Sequence, residues 1–247
     1  MDTAKTALVA AAVVLGAGAV VTRGRLALAM LAAALFTVLA ILAVEINAGW
    51  MTSLDDSVWN WFYRHRFHQL RVDSQGIFSF IGQPVPFAVA GIISGTLVAL
   101  LSRSAMRAVV VIGGVGVGVA VEETLKAVVV RTPANLAKLH DGSLLEYTHS
   151  FPSGHVTASG TLLGMIAVCL GTGRSRVARA AIAVPAVAGG LFVAFLALHT
   201  RAHIFTDVLG GMVLAAAIVA AGAAALGPPK PKHRTAPGRV QSAHART

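Results

Sequence analysis

Charge is scarce in this chain. Only 12% of its 247 residues are Asp, Glu, Lys or Arg, where soluble domains carry about 25%. The few charges are segregated, leaving long stretches with almost none, and this excludes an ordinary water-soluble globule. Cysteine is nearly absent too. Cys169 stands alone in an apolar run, so there is no intrachain disulfide and no thiolate metal cage; it reads as a small lipid- or core-facing filler. Acids are missing from the last stretch, Pro228 to Thr247, which holds Lys230, Lys232, Arg234, Arg239 and Arg246 and supplies half of the net +10. Pro-rich and without aromatics, it reads as a disordered tail that contacts anionic lipid on the cytoplasmic side, not as a nucleic-acid surface. Internal repeats and heptads are also lacking.

What the chain does have is apolar sequence: 56% of residues are hydrophobic and the mean hydropathy is +0.75. Seven runs, at about Ala4–Val21, Leu26–Val44, Val85–Leu101, Ala108–Val130, Val156–Leu170, Val177–Leu198 and Ile204–Leu226, approach the roughly 20 residues that cross a bilayer as a helix. The expected fold is all-α, a polytopic membrane helix bundle. A leader peptide competes for the first run, but no Ala-x-Ala cleavage site is evident after it, and a retained helix is the reading. The chain divides into 1–25 (first helix and basic loop), 26–226 (membrane domain) and 227–247 (basic tail). "TRGR" at Thr22–Arg25, "SRSAMR" at Ser102–Arg107, "GTGRSRVAR" at Gly171–Arg179 and the tail are all basic and acid-free. Placing them in the cytoplasm gives an alternating path with the N-terminus outside. The connections Glu45–Pro84, Arg131–His155 and His199–His203 then share the outer face.

The first of those connections contains all three tryptophans, Trp50, Trp59 and Trp61, interleaved with Arg64, Arg66 and Arg71. At a membrane this reads as an interfacial helix with rings at headgroup level, a rim that guides an amphiphile sideways. The glycines of "VIGGVGVGVAVEETLKAVVV" read as close helix packing in lipid, because no strand-turn-helix unit surrounds them as a dinucleotide site requires.

Ionisable groups inside spans are functional suspects. Glu122, Glu123 and Lys126 lie late in the fourth run. Glu122 and Lys126 are spaced for an intrahelical ion pair, while Lys126 also offers a phosphate three donors, with Arg131 just beyond. Pro152-Ser153-Gly154-His155 directly precedes a hydrophobic helix, whose first N–H groups and partial positive charge suit an anion. Gly154 permits close backbone approach, Ser153 caps or donates, and His155 carries a proton. At the start of the last span, His203 and Asp207 are four apart and share a helix face. Asp207 then accepts from one ring nitrogen and leaves the other free as base, ligand or nucleophile. All these groups sit at outer helix ends. The loop residues His140, Asp141, Glu146 and His149 read as solvated.

These residues resemble the type 2 phosphatidic acid phosphatase (PAP2) superfamily, whose motifs are Lys-x6-Arg-Pro, Pro-Ser-Gly-His and Ser-Arg-x5-His-x3-Asp. The second is complete at Pro152–His155, and the third ends in His203 and Asp207. After Lys126 the Arg-Pro is displaced, with Arg131 matching an earlier Arg. Leu196 and Ala197 stand where the third motif has Ser-Arg, and Arg201 or Arg131 is the candidate to supply the lost charge. The resemblance implies a six-helix core with the first helix added, and a lipid phosphate phosphatase. His203 would be the nucleophile, Asp207 its orienter and His155 the acid and base; Lys126, Arg131, Ser153, Gly154 and Arg201 would bind phosphate. It implies no cofactor and no metal. A polyprenyl diphosphate is favoured over phosphatidic acid and phosphatidylglycerol phosphate, and a catalytically impaired homologue or a transporter are the rivals. A histidine that must be unprotonated to attack predicts activity falling on acidification.

Overall fold

A computed structural model describes residues 3–65, 67–81, 83–132 and 147–227. The basic tail and the loop residues His140, Asp141 and Glu146 lie outside them. Among the described residues there are nine helices: α1 (Thr3–Val21), α2 (Gly24–Val44), α3 (Gly49–Arg64), α4 (His68–Ile81), α5 (Pro84–Ser102), α6 (Ala105–Val128), α7 (Gly154–Gly171), α8 (Arg176–His199) and α9 (Phe205–Leu226). Seven of them, all but α3 and α4, are long and apolar enough to cross a membrane, and they fall on the seven apolar runs. The chain is an integral membrane protein.

Helix ends follow local chemistry. Ser175 caps α8 by accepting from the Ala178 N–H at 3.3 Å, and proline opens α5, where the missing N–H would have no partner anyway. Pro185 lies inside α8.

The centre of the bundle is α9, which packs on α2, α6, α7 and α8. Its Leu214 and Ala217 are fully buried, as are Met165 and Cys169 of α7 and Val111 of α6; Cys169 is thus a core residue. Large apolar side chains such as Val13, Leu100 and Leu191 point outward, as they do where lipid is the solvent. Small residues bring backbones together. A Cβ on Gly211 would stand 2.8 Å from the Ser153 carbonyl and 3.3 Å from the Thr157 nitrogen. Helix α1 buries no residue; it lies along α2, with Lys5 paired to Glu45 at 2.6 Å.

The segment 45–84 departs from a purely interfacial rim. Met51, Thr52, Asp55 and Trp59 form one buried face of α3, docked on the end of α9. Trp50, Trp61 and Tyr63 remain exposed.

Candidate active site

Two helix starts make the centre of the site. The Ser153 N–H donates to the Asp207 carbonyl at 2.9 Å, fastening the beginning of α7 to the first turn of α9. His155 and His203, one at each start, then face each other with ring centroids 5.6 Å apart and planes at 71°. The His155 ring lies flat on Phe78 of α4, 4.0 Å between centroids and 3° between planes. Its Nε2 is 3.0 Å from the Phe78 carbonyl. A carbonyl only accepts, so Nε2 donates and Nδ1 is the nitrogen left for proton exchange.

Behind His203 lies a buried charged network. Nδ1 of His203 is 3.5 Å from Asp207 Oδ2 and has no formed hydrogen bond; a formed one spans 2.7–3.2 Å, and catalytic contacts often tighten only with substrate present. Asp207 is fully buried. It accepts from Arg131 Nη2 at 2.5 Å and from Ser150 Oγ at 2.6 Å. Arg131 also reaches Asp55, with Nη1 to Oδ2 at 3.4 Å, and Nη2 donates to Thr206 Oγ1 at 2.7 Å. Thr206 in turn gives both its N–H and its hydroxyl to Asp55, each at 2.8 Å. Burial raises the Asp55 carboxyl to about 6 despite the Arg131 charge beside it.

Three expected phosphate ligands are placed differently from one another. Arg131 is 3% exposed and its guanidinium is committed to Asp55 and Asp207, so it braces the histidine from behind and does not line the opening. Arg201 lies over the Trp59 ring at 4.1 Å and near Tyr63 at 5.4 Å, in the left-handed region at φ 61°, while its carbonyl accepts from Tyr147. Aromatic faces of α3 hold this charge. Ser153 is 0% exposed, with its Oγ unpartnered.

Lys126 is a partly exposed cation beside these helix starts. It closes α6, is 27% exposed at its side chain, and donates to Glu122 and, at 3.3 Å, to Glu123. The expected ion pair therefore forms. The Glu122 carboxylate in turn covers Gly154, where a Cβ would fall 2.2 Å from Oε1. Lys126, Glu122 and the N-terminus of α7 are one cluster. His149 Nδ1 donates to the Lys126 carbonyl at 2.9 Å, which ties the incoming loop to α6. Ala197, standing where the third motif has arginine, is 0% exposed and packs with Phe78, Val156 and Val208.

Sequence reasoning missed Asp55, Ser150, Thr206 and Phe78. Asp55 had a signal: it shares the face of Met51, Thr52 and Trp59 on an amphipathic helix, and an acid on a buried face needs a cation. The arrangement joins a ring nitrogen free to attack, a second ring poised for proton transfer, and an ammonium beside an open helix N-terminus. Those are the parts that phosphoryl transfer uses.

The family model described as "PAP2 superfamily" matches residues 106–227, which includes every residue of this cluster except Asp55, Trp59, Tyr63 and Phe78. A similar solved structure is the crystal structure of the first transmembrane PAP2 type phosphatidylglycerolphosphate phosphatase from Bacillus subtilis, at a TM-score of 0.62 and 20% identity, covering 76% of this chain and 92% of that one. A search of curated proteins finds no match. Through residues 106–227, the chain belongs to the PAP2 superfamily.

Proposed function

We propose that this protein is a membrane lipid phosphate phosphatase working through a phosphohistidine on His203, at the end of the bundle that carries α3 and α4. The observation that carries the reading is the 5.6 Å approach of the His155 and His203 rings, with Asp207 behind one and Lys126 beside the α7 N-terminus. Nδ1 of His203 faces Asp207, so Nε2 attacks phosphorus. The bond from phosphorus to the lipid-side oxygen breaks, and His155 delivers a proton to that oxygen from Nδ1, the nitrogen that Phe78 does not hold. Water then attacks the phosphohistidine, giving its proton to His155; inorganic phosphate leaves and His203 is restored. Lys126 and the first N–H groups of α7 stabilise the non-bridging oxygens. Asp207 keeps the imidazole oriented and supports its developing charge, and Arg131 holds Asp207 in place.

The substrate class is an amphiphilic phosphate ester or diphosphate, because the site lies at the mouth of a membrane bundle. A polyprenyl diphosphate is the favoured member; phosphatidic acid and phosphatidylglycerol phosphate, the latter matching the phosphatase from Bacillus subtilis, complete the panel. Purified protein should release phosphate from at least one of them, with turnover retained in EDTA because Lys126 and α7 supply the positive charge. His203→Ala should reduce kcat by at least about 10³-fold, and His155→Ala should accumulate the phosphohistidine. Release that survives His203→Ala removes the nucleophile assignment. Ala197 supports one other reading, a homologue that binds lipid phosphate without turning it over. Binding with no release from the whole panel would establish that alternative.

A further inference from the structure

A second feature lies on the other side of α7. Between α7, α8 and α9 runs a groove of about 870 Å3. It follows α7 from Val156, next to His155, to Gly171, which is roughly 22 Å at 1.5 Å per residue. Its walls are small and apolar; Gly160, Gly164, Ala183 and Gly190 leave the room. At the end away from the histidines, three arginines from two connections line it: Arg25, and Arg174 with Arg179.

None of the three has an acidic partner among the described residues. Arg25 reaches the Ala225 and Leu226 carbonyls at 3.4 Å. Arg174 donates from Nε to the Leu170 carbonyl at 2.8 Å. The Arg179 stem lies against Gly171. The connections at this end, 22–25, 102–107 and 171–179, contain no acidic residue at all. All three are exposed, and the acceptors of Arg25 and Arg174 are neutral carbonyls, so their charge is open to an anion at the end of an apolar groove. An anion satisfies them, and a long hydrocarbon chain fills the remainder.

We infer that this groove is an anionic phospholipid site, with the headgroup phosphate on Arg25, Arg174 and Arg179 and one acyl chain lying along α7 toward Val156. The guanidinium groups match phosphate as forked donors, and the volume is that of a ligand cavity. The site is separate from the phosphatase reading, since its charge lies a full helix length from the histidines and its occupancy needs no turnover.

The test is binding. Full-length protein in detergent is titrated with phosphatidylglycerol and phosphatidylcholine carrying the same oleoyl chains, and retained lipid is read by native mass spectrometry. Phosphatidylglycerol should bind at least tenfold more tightly. The triple variant Arg25→Gln/Arg174→Gln/Arg179→Gln should erase that preference, and the corresponding triple lysine variant, which also controls for folding, should keep most of it. Gly190 lines the groove, and a Cβ there would already touch the Gly160 Cα at 3.9 Å, so Gly190→Phe puts a ring on its wall and should weaken phosphatidylglycerol at least fivefold. Millimolar inorganic phosphate should not displace the lipid. Equal binding of the two lipids, or a preference that survives the triple Gln change, overturns the proposal. Tight binding after Gly190→Phe moves the acyl chain out of the groove and overturns it as well.

Discussion

Asp55 shows how a side chain far from the reacting atoms sets the conditions around them. Burial raises its carboxyl to about 6, with Arg131 opposing that rise. A raised carboxylate binds its proton more tightly folded than unfolded, so its contribution to stability grows as pH falls from about 6 toward 4 and is lost as pH rises through 6. A two-unit shift is worth about 3 kcal/mol at most. Asp55→Asn carries no titrating group there. The Tm of the native protein should therefore gain on that of Asp55→Asn when purified samples are scanned from pH 7 to pH 4; a gap that narrows on acidification refutes this account. Glu122 exerts a more direct influence. Its buried carboxylate holds Lys126 and covers Gly154, where the proposed mechanism puts a phosphate oxygen. Glu122→Gln removes that competing charge, and the Ki of inorganic phosphate against lipid phosphate hydrolysis should fall about tenfold, roughly 1.4 kcal/mol. An unchanged or weaker Ki would make Glu122 a structural partner only.

At the scale of elements, the site depends on how closely α7 and α9 approach. The obstacle to a Cβ on Gly211 is backbone, the Ser153 carbonyl and Thr157 nitrogen, which no rotamer change can relieve. Gly211→Ala should force the helices apart, destabilise by about 1–3 kcal/mol and cut kcat at least tenfold by moving His155 away from His203. Gly116→Ala is the contrast. Nothing lies within 4 Å of a Cβ there, and alanine favours helix by about 1 kcal/mol, so thermal stability should hold or rise with activity intact. Comparable damage from both substitutions would make helix propensity, not spacing, the determinant. The seven spans were legible because apolar length is a local property. Lys126, Gly154, His155, His203 and Asp207 were legible because motif spacing and helix ends leave a trace in order. The brace was not: Asp55 and Arg131 lie 76 residues apart, and an arginine beside a phosphate motif reads as a ligand until its carboxylate partners are seen. Phe78 gave no sign because its backbone carbonyl and flat ring do the work, and neither is written in residue type.

Over the whole molecule, charge is arranged by end. The connections 22–25, 102–107 and 171–179 hold arginines without acids, whereas Glu45, Asp55, Glu122 and Asp207 all lie at the end of the bundle that carries the histidines. Basic residues in short loops stay on the cytoplasmic side, and moving one charge through the hydrocarbon core is costly. This division predicts the N-terminus outside, the histidine cluster facing outward and the tail within. Cys169 is fully buried, so replacing it by Ala yields a background without a reactive thiol and leaves only a small void. On that background Ser53→Cys of α3 and Gly173→Cys between α7 and α8 report the two ends, both positions being exposed. In intact cells a membrane-impermeant maleimide should label Ser53→Cys and spare Gly173→Cys, and permeabilisation should make both reactive. The reverse pattern would turn the histidines toward the cytoplasm and restrict the substrate to lipid phosphates of the inner leaflet, while leaving the helix packing and the proposed chemistry as they stand.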